Sequence, residues 1–266
     1  MAAAEERRSG WPTRVVSAAA LVAVTLVLAA CASDSSAAGP ESTTPTPEPT
    51  LTPLTPLTAE ALSGEGPSDE PGLEFPIPRG AKSVSIAFEC EGGERWAVEL
   101  GDPMTTGQSY LRGVCDGAQE LAWPVTGQTI PRLRVTVTDG VPWTATPTFS
   151  REPFAYDTAV TEDCERFSDV YSAFMNADQG LTLYAAFDEA EWTERVDTAV
   201  GDLAELAVTA SPSLADPFAK VHALASSADR TVGEVLSDDT TAAIYEVTQV
   251  CDRNQTPLII MGEFGG

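Results

Sequence analysis

The chain reads as an α+β protein: a small antiparallel β-sandwich or open barrel followed by a disulfide-tied helical bundle. Two patterns predict this. Between residues 73 and 154 apolar side chains recur at every second position, the period of a half-buried strand. Between 155 and about 255 they recur every three or four positions, the period of a helix with one buried face. Glycine-bearing breaks punctuate the first region at intervals that suit short strands.

The chain opens on a different pattern. Arg7, Arg8 and Arg14 precede an uncharged apolar run from Val15 to Ala30, which closes on Leu28-Ala29-Ala30-Cys31. A basic start, an apolar stretch and a small-residue site are the order of a secretory signal peptide. The run is shorter than the roughly 20 apolar residues of a spanning helix. Leu-Ala-Ala-Cys resembles the lipobox of bacterial lipoproteins. That resemblance covers residues 1–31 alone. It implies cleavage after residue 30, diacylation of the Cys31 thiol, and a mature chain held by its lipid on the extracytoplasmic face of the cell membrane. Two acyl chains suffice for firm anchoring.

The cysteines fit export. There are five: Cys31, Cys90, Cys115, Cys164 and Cys251. Lipidation of Cys31 leaves four to pair in an oxidising compartment. Four cysteines allow three connectivities. Cys90–Cys115 and Cys164–Cys251 are favoured, because each pair then falls within one segment of uniform pattern. No Cys-x-x-Cys occurs and His222 is the single histidine, so no metal site is expected.

Residues 31–72 read as the lipidated cysteine and a disordered Thr/Pro-rich stalk. Pro45, Pro47, Pro49, Pro53 and Pro56 block helix and sheet, and few large apolar groups are present to bury. Such a stretch favours polyproline II at about 3.1 Å per residue.

Residues 73–154 read as the β domain. Val84, Ile86, Phe88 and Cys90 alternate with Ser85, Ala87 and Glu89; Trp96, Val98 and Leu100 alternate with Ala97 and Glu99; Leu133, Val135 and Val137 alternate with Arg134 and Thr136. Further strands are expected at 109–114, 120–125 and 141–149. Turns are expected at Gly92-Gly93, Gly101-Asp102-Pro103 and Asp116-Gly117. Asp139-Gly140 is expected to close a hairpin.

Residues 155–266 read as the helical domain. Cys164, Phe167, Tyr171 and Phe174 share one helical face, as do Trp192, Val196, Val200 and Leu203; Phe218, Val221 and Leu224; and Ala243, Val247, Val250 and Cys251. Four helices of this kind can bury a bundle core. Asp238-Asp239 suits a helix start. Pro257-Leu258-Ile259-Ile260-Met261 is too apolar to stay free and is expected to pack on the bundle or add a strand to the β domain.

Charge narrows the partners. Cleavage after residue 30 takes three arginines and two glutamates from 15 basic and 40 acidic side chains, leaving 12 and 38, a net charge of -26. Such a surface repels nucleic acid and anionic headgroups, so membrane contact is expected through the anchor. Motifs narrow the chemistry. There is no Gly-x-Ser-x-Gly elbow, Ser-x-x-Lys, His-Glu-x-x-His or phosphate-binding glycine loop. No cofactor and no catalytic residue is assigned. Glu89, Glu91 and Glu94, then Asp188, Glu189 and Glu191, are close carboxylates of the kind a hydrolase could use. In a chain this acidic, solvated faces and helix starts account for them.

Aromatic residues on a strand face suit sugars or peptides. Trp123 and Trp143 stand next to prolines and are the expected exposed platform. The expectation is a cell-surface lipoprotein that binds a cell-envelope polymer or protein partner without catalysis. The alternatives are an assembly subunit of an envelope complex or a carboxylate-using hydrolase.

Overall fold

A computed structural model describes residues 57–264. Cys31 and the segments expected to form the signal peptide and most of the stalk lie outside the described residues. Seven strands and five helices follow in order. The strands are β1 (Leu57–Thr58), β2 (Leu62–Glu65), β3 (Leu73–Glu74), β4 (Ser83–Leu100), β5 (Leu111–Pro124), β6 (Arg132–Thr136) and β7 (Pro142–Ser150). The helices are α1 (Pro103–Thr106), α2 (Thr158–Thr182), α3 (Glu189–Thr209), α4 (Pro212–Ala225) and α5 (Asp238–Arg253). The architecture is α+β: one curled antiparallel half-barrel, then the helices. The open barrel is thus realised and the two-sheet sandwich is not.

The sheet is built around β4. Strand β5 pairs along nearly its whole length on one edge. On the other edge β7 pairs its first half and β6 its second half. Strands β1 and β2 extend β7, and β3 extends β6. Strand pairing therefore begins at Leu57, inside the segment read as stalk. Proline spacing explains the shift, since none falls between Pro56 and Pro67 and the peptide N–H groups there are free to join a ladder.

Three expected turns do not reverse the chain: two are irregularities within strands and one separates two strands that run on in the same direction. Gly92-Gly93 interrupts β4, where the pairing jumps from Glu91↔Asp116 to Arg95↔Val114. Gly117 sits inside β5, and Asp139-Gly140 separates β6 from β7 as both run beside β4. Gly92, Gly93, Gly117 and Gly140 all have positive φ. The expected Asp139-Gly140 hairpin is corrected accordingly: β6 and β7 do not pair with each other. All three breaks lie at one level, opposite one another across the sheet. Extra residues there raise the local twist and bend, so the sheet curls along that line. The Cys90–Cys115 disulfide crosses it, with Cα atoms 4.8 Å apart.

The inward faces are those read from the alternation. Val84, Ile86, Phe88, Trp96, Val98 and Leu100 are buried, with Leu133 and Val135 from β6. The helices pack Phe167, Phe174, Trp192, Leu203, Phe218 and Val247 into a second core. Cys164 of α2 and Cys251 of α5 are bonded. By loop-closure entropy the two disulfides contribute up to about 3.5 and 4.6 kcal/mol.

Two tryptophans lie flat over glycines on neighbouring strands. Gly113 faces Trp96 and Gly64 faces Trp143 in register. A Cβ on Gly113 would come within 2.7 Å of Trp96, and one on Gly64 within 2.6 Å of Trp143. Each substitution to alanine should cost about 1–3 kcal/mol by overpacking. Gly201 in α3 has nothing within 4 Å, so Gly201→Ala should be stabilising by about 0.5–1 kcal/mol. Urea unfolding of the three variants checks this; equal effects at all three would refute the packing argument.

Candidate functional site

Trp123 and Trp143 form no exposed platform. They are 0% and 3% exposed. Trp123 Nε1 donates to the Ser109 carbonyl and Trp143 Nε1 to the Gly66 carbonyl, each at 2.9 Å. The signal is present in the alternation. Trp123 shares its parity with Leu121, and Trp143 with Ala145 and Phe149, all core residues. Parity along the strand is the stronger indicator of burial, and proximity to proline the weaker.

Many of the carboxylates serve the main chain. Asp157 and Asp188 cap α2 and α3 through their first-turn amides. Asp163 accepts from Ser211 N–H at 2.7 Å. Asp178 accepts from Trp192 Nε1 and from the amides of Val235 and Leu236. Asp238 and Asp239 begin α5, behind the Ser237 cap. His222 is half-buried on the flank of α4. Among the described residues no group of three His, Cys, Asp or Glu is placed to hold a metal ion.

The surface with the most varied chemistry lies just beyond α5. The segment from Pro257 to Glu263 lies on α2, which corresponds to one of the two placements expected for it. Ser168 Oγ accepts from Ile259 N–H at 3.1 Å, Ser172 Oγ from Met261 N–H at 3.0 Å, and Asn176 Oδ1 from Glu263 N–H at 2.8 Å. Asn176 Nδ2 donates to the Met261 carbonyl at 2.8 Å. Four helical residues advance about 6 Å and two extended residues about 6.6 Å, so a helix ladder at i, i+4 and i+8 matches alternate residues of an extended chain. Each serine hydroxyl also donates down its own helix, Ser168 to Cys164 and Ser172 to Ser168. Both hydroxyls are thereby used as donor and acceptor.

The segment divides two kinds of groove. Ile259 and Met261 face a hollow of about 710 Å³ along α2, and Met261 and Glu263 one of about 770 Å³ between α2 and α3. The larger carries Asp169, Glu191, Glu194 and Glu263 against one cation, Arg195. Arg195 bonds Glu263 at 2.7 Å and Glu191 at 2.9 Å. The hydrogen bonds it donates to these two, Glu263 foremost, hold its guanidinium charged beyond the usual range. Leu258 and Ile260 face a groove of about 360 Å³ with Tyr110, Tyr171 and Tyr245. Ile259 and Met261 are each 66% exposed.

Arg112 of β5 floors the second groove. Its guanidinium lies 4.6 Å from the Tyr110 ring and 4.8 Å from the Tyr245 ring, and Nη2 donates to Asp252 Oδ2 at 3.1 Å. Arg112 Nε is buried with no acceptor among the described residues, so the ring faces and the Asp252 bond hold the charge. Burial pushes the Asp252 carboxyl above the usual carboxylate range, against the hydrogen bond and charge of Arg112, which pull it down.

The sequence matches no protein-family model and no curated protein.

The Asp252 shift has a signed consequence. Its folded pKa is raised, so the folded state binds more protons than the unfolded state above the ordinary carboxylate value of 3.8. Stability should fall as pH rises from there through the raised value, and Asp252→Asn should remove that fall. Urea unfolding across that range checks it; a rise in the wild type relative to the variant would show a depressed carboxyl instead.

Proposed function

We propose that the chain is a membrane-tethered binding module that captures a protein of the cell envelope without catalysis. The observation that supports this most is the segment after α5. It holds Ile259 and Met261 in solvent between concave surfaces, while four hydrogen bonds to α2 fix its main chain. Exposed apolar side chains on a fixed backbone are what a protein partner buries at low ordering cost. Burial of Trp123 and Trp143 takes away the aromatic surface that argued for a polymer. The lipid on Cys31 and the proline-rich stretch after it would hold this surface at a distance from the membrane.

Two measurements test the parts separately. Cys31→Ala should move the protein from the membrane fraction to the medium; retention would refute the lipid anchor. A photo-crosslinking residue at Met261 should give a discrete protein adduct on intact cells. One at Val208, 85% exposed on α3, should not. Equal adducts from both positions, or none from either, would refute protein capture at this surface.

A further inference from the structure

The segment after α5 has a main chain used on one side only. In an extended chain successive peptide groups point to opposite sides. Ile259, Met261 and Glu263 turn theirs toward α2, where Ser168, Ser172 and Asn176 accept their amides. Ile260 and Gly262 turn theirs the other way. Neither their N–H nor their C=O groups make a hydrogen bond among the described residues. The result is a main-chain edge with no strand partner, whose inner side is fixed by a helix; Gly262 on it is exposed and Ile260 half-buried. Such an edge is a template for another strand.

Resting on the protein-capture reading, we infer that this edge takes up an extended segment of the partner by strand addition, and that the segment alternates basic and apolar side chains. The two faces of the added strand dictate that alternation. One face overlooks Asp169, Glu191, Glu194 and Glu263, where Arg195 is already shared between two of the four carboxylates. Long cationic side chains complement that face. The other face overlooks Tyr171, Leu258 and Ile260, beside a guanidinium already paired with Asp252. Apolar side chains suit it. The mature chain carries a net charge of -26, so its wider field also draws a basic segment toward the surface. Main-chain hydrogen bonds supply the mode, and the alternating faces supply the register.

The experiment uses the full mature domain and a blocked decapeptide of alternating lysine and valine. Amide exchange in the free protein should already be slow at Ile259, Met261 and Glu263, and fast at Ile260 and Gly262. Addition of the peptide should slow Ile260 and Gly262. N-methylation of alternate peptide nitrogens, or a glutamate–valine peptide, should weaken binding at least about 10-fold. Ile260→Pro deletes the outward N–H and should weaken binding by a similar factor, whereas Ile260→Ala keeps the N–H and should change it less than about threefold. Unchanged disulfides and melting temperature in both variants exclude misfolding as the cause. Glu194→Lys should weaken binding and flatten its salt dependence.

Binding that leaves Ile260 and Gly262 unprotected, or that tolerates N-methylation, would overturn strand addition. So would failure of the peptide to bind while Met261 still crosslinks to a protein on cells, an outcome that leaves the capture reading standing. Loss of both signals would overturn the two together.

Discussion

The structure turns on how α5 ends. Within five residues the chain makes four attachments. Cys251 is bonded to Cys164 of α2, Asp252 to Arg112 of β5, Asn254 to Asp157 and Thr161 of α2, and Gln255 to β5. The Gln255 carboxamide accepts from Ser109 N–H and donates to the Ala122 carbonyl, so it ties the segment that leads into β5 to the far end of that strand. Gln255 also has φ of 55°, a conformation that helix ends normally give to glycine. Around it Thr256 N–H bonds Cys251 O and Gln255 N–H bonds Asp252 O, the paired reverse bonds of a Schellman cap. A left-handed residue with a Cβ costs about 1–2 kcal/mol. Glycine would avoid that cost and lose both side-chain bonds, one of them to the buried Ser109 amide, a loss of similar or greater size. The helix end is therefore also the junction between the sheet and the bundle.

That junction sets the path of the last residues. The left-handed turn and Pro257 send the chain off the axis of α5 and along α2. Cys164 lies one helical turn before Ser168, so the disulfide fixes the helix that receives the segment just below its first hydrogen bond. Ser168, Ser172 and Asn176 then repeat at one-turn intervals on a single face. Polar residues on a helix beside a core are normally hard to explain. Here they stand in for the strand that would otherwise pair this side of the segment, and they leave the other side unpaired.

How much of this is legible in the sequence varies with the range of the signal. Alternation and helical spacing report which face of an element is buried, so the inward faces of β4 and β6 and the four long helices follow from local pattern. The cysteine pairing follows because each bond lies inside one pattern. Gly92-Gly93, Asp116-Gly117 and Asp139-Gly140 carry turn chemistry whether the chain reverses or merely bulges. Only the partner strand distinguishes the two, and the partner is a tertiary fact. The burial of Trp143 is obscured for a related reason. Its cover is Gly64, from a stretch whose neighbouring prolines suggest a stalk. The segment after α5 is visibly too apolar to be free, but its receiving ladder on α2 is not visible, because serine and asparagine at i, i+4 and i+8 read as an ordinary solvated flank.

The carboxylates divide into two populations, and the division bears on selectivity. Asp157, Asp163, Asp178 and Asp188 accept hydrogen bonds from peptide or indole N–H groups, and Asp252 accepts one from Arg112. Their charge is largely spent locally. Asp169, Glu194 and most of the acidic surface make no ion pair among the described residues, so their field extends outward and is screened only by salt. A strand edge alone is indiscriminate, because any extended chain can satisfy its amides and carbonyls. Under the proposed strand addition, the unspent carboxylates on one side of that edge make it selective: an acidic or neutral segment would bury them without a counter-charge, and a basic one would not. The same charge works against edge-to-edge association between copies, which would bring like-charged grooves together. An exposed edge is thus compatible with a chain that stays apart from its own copies and still admits a segment of opposite sign.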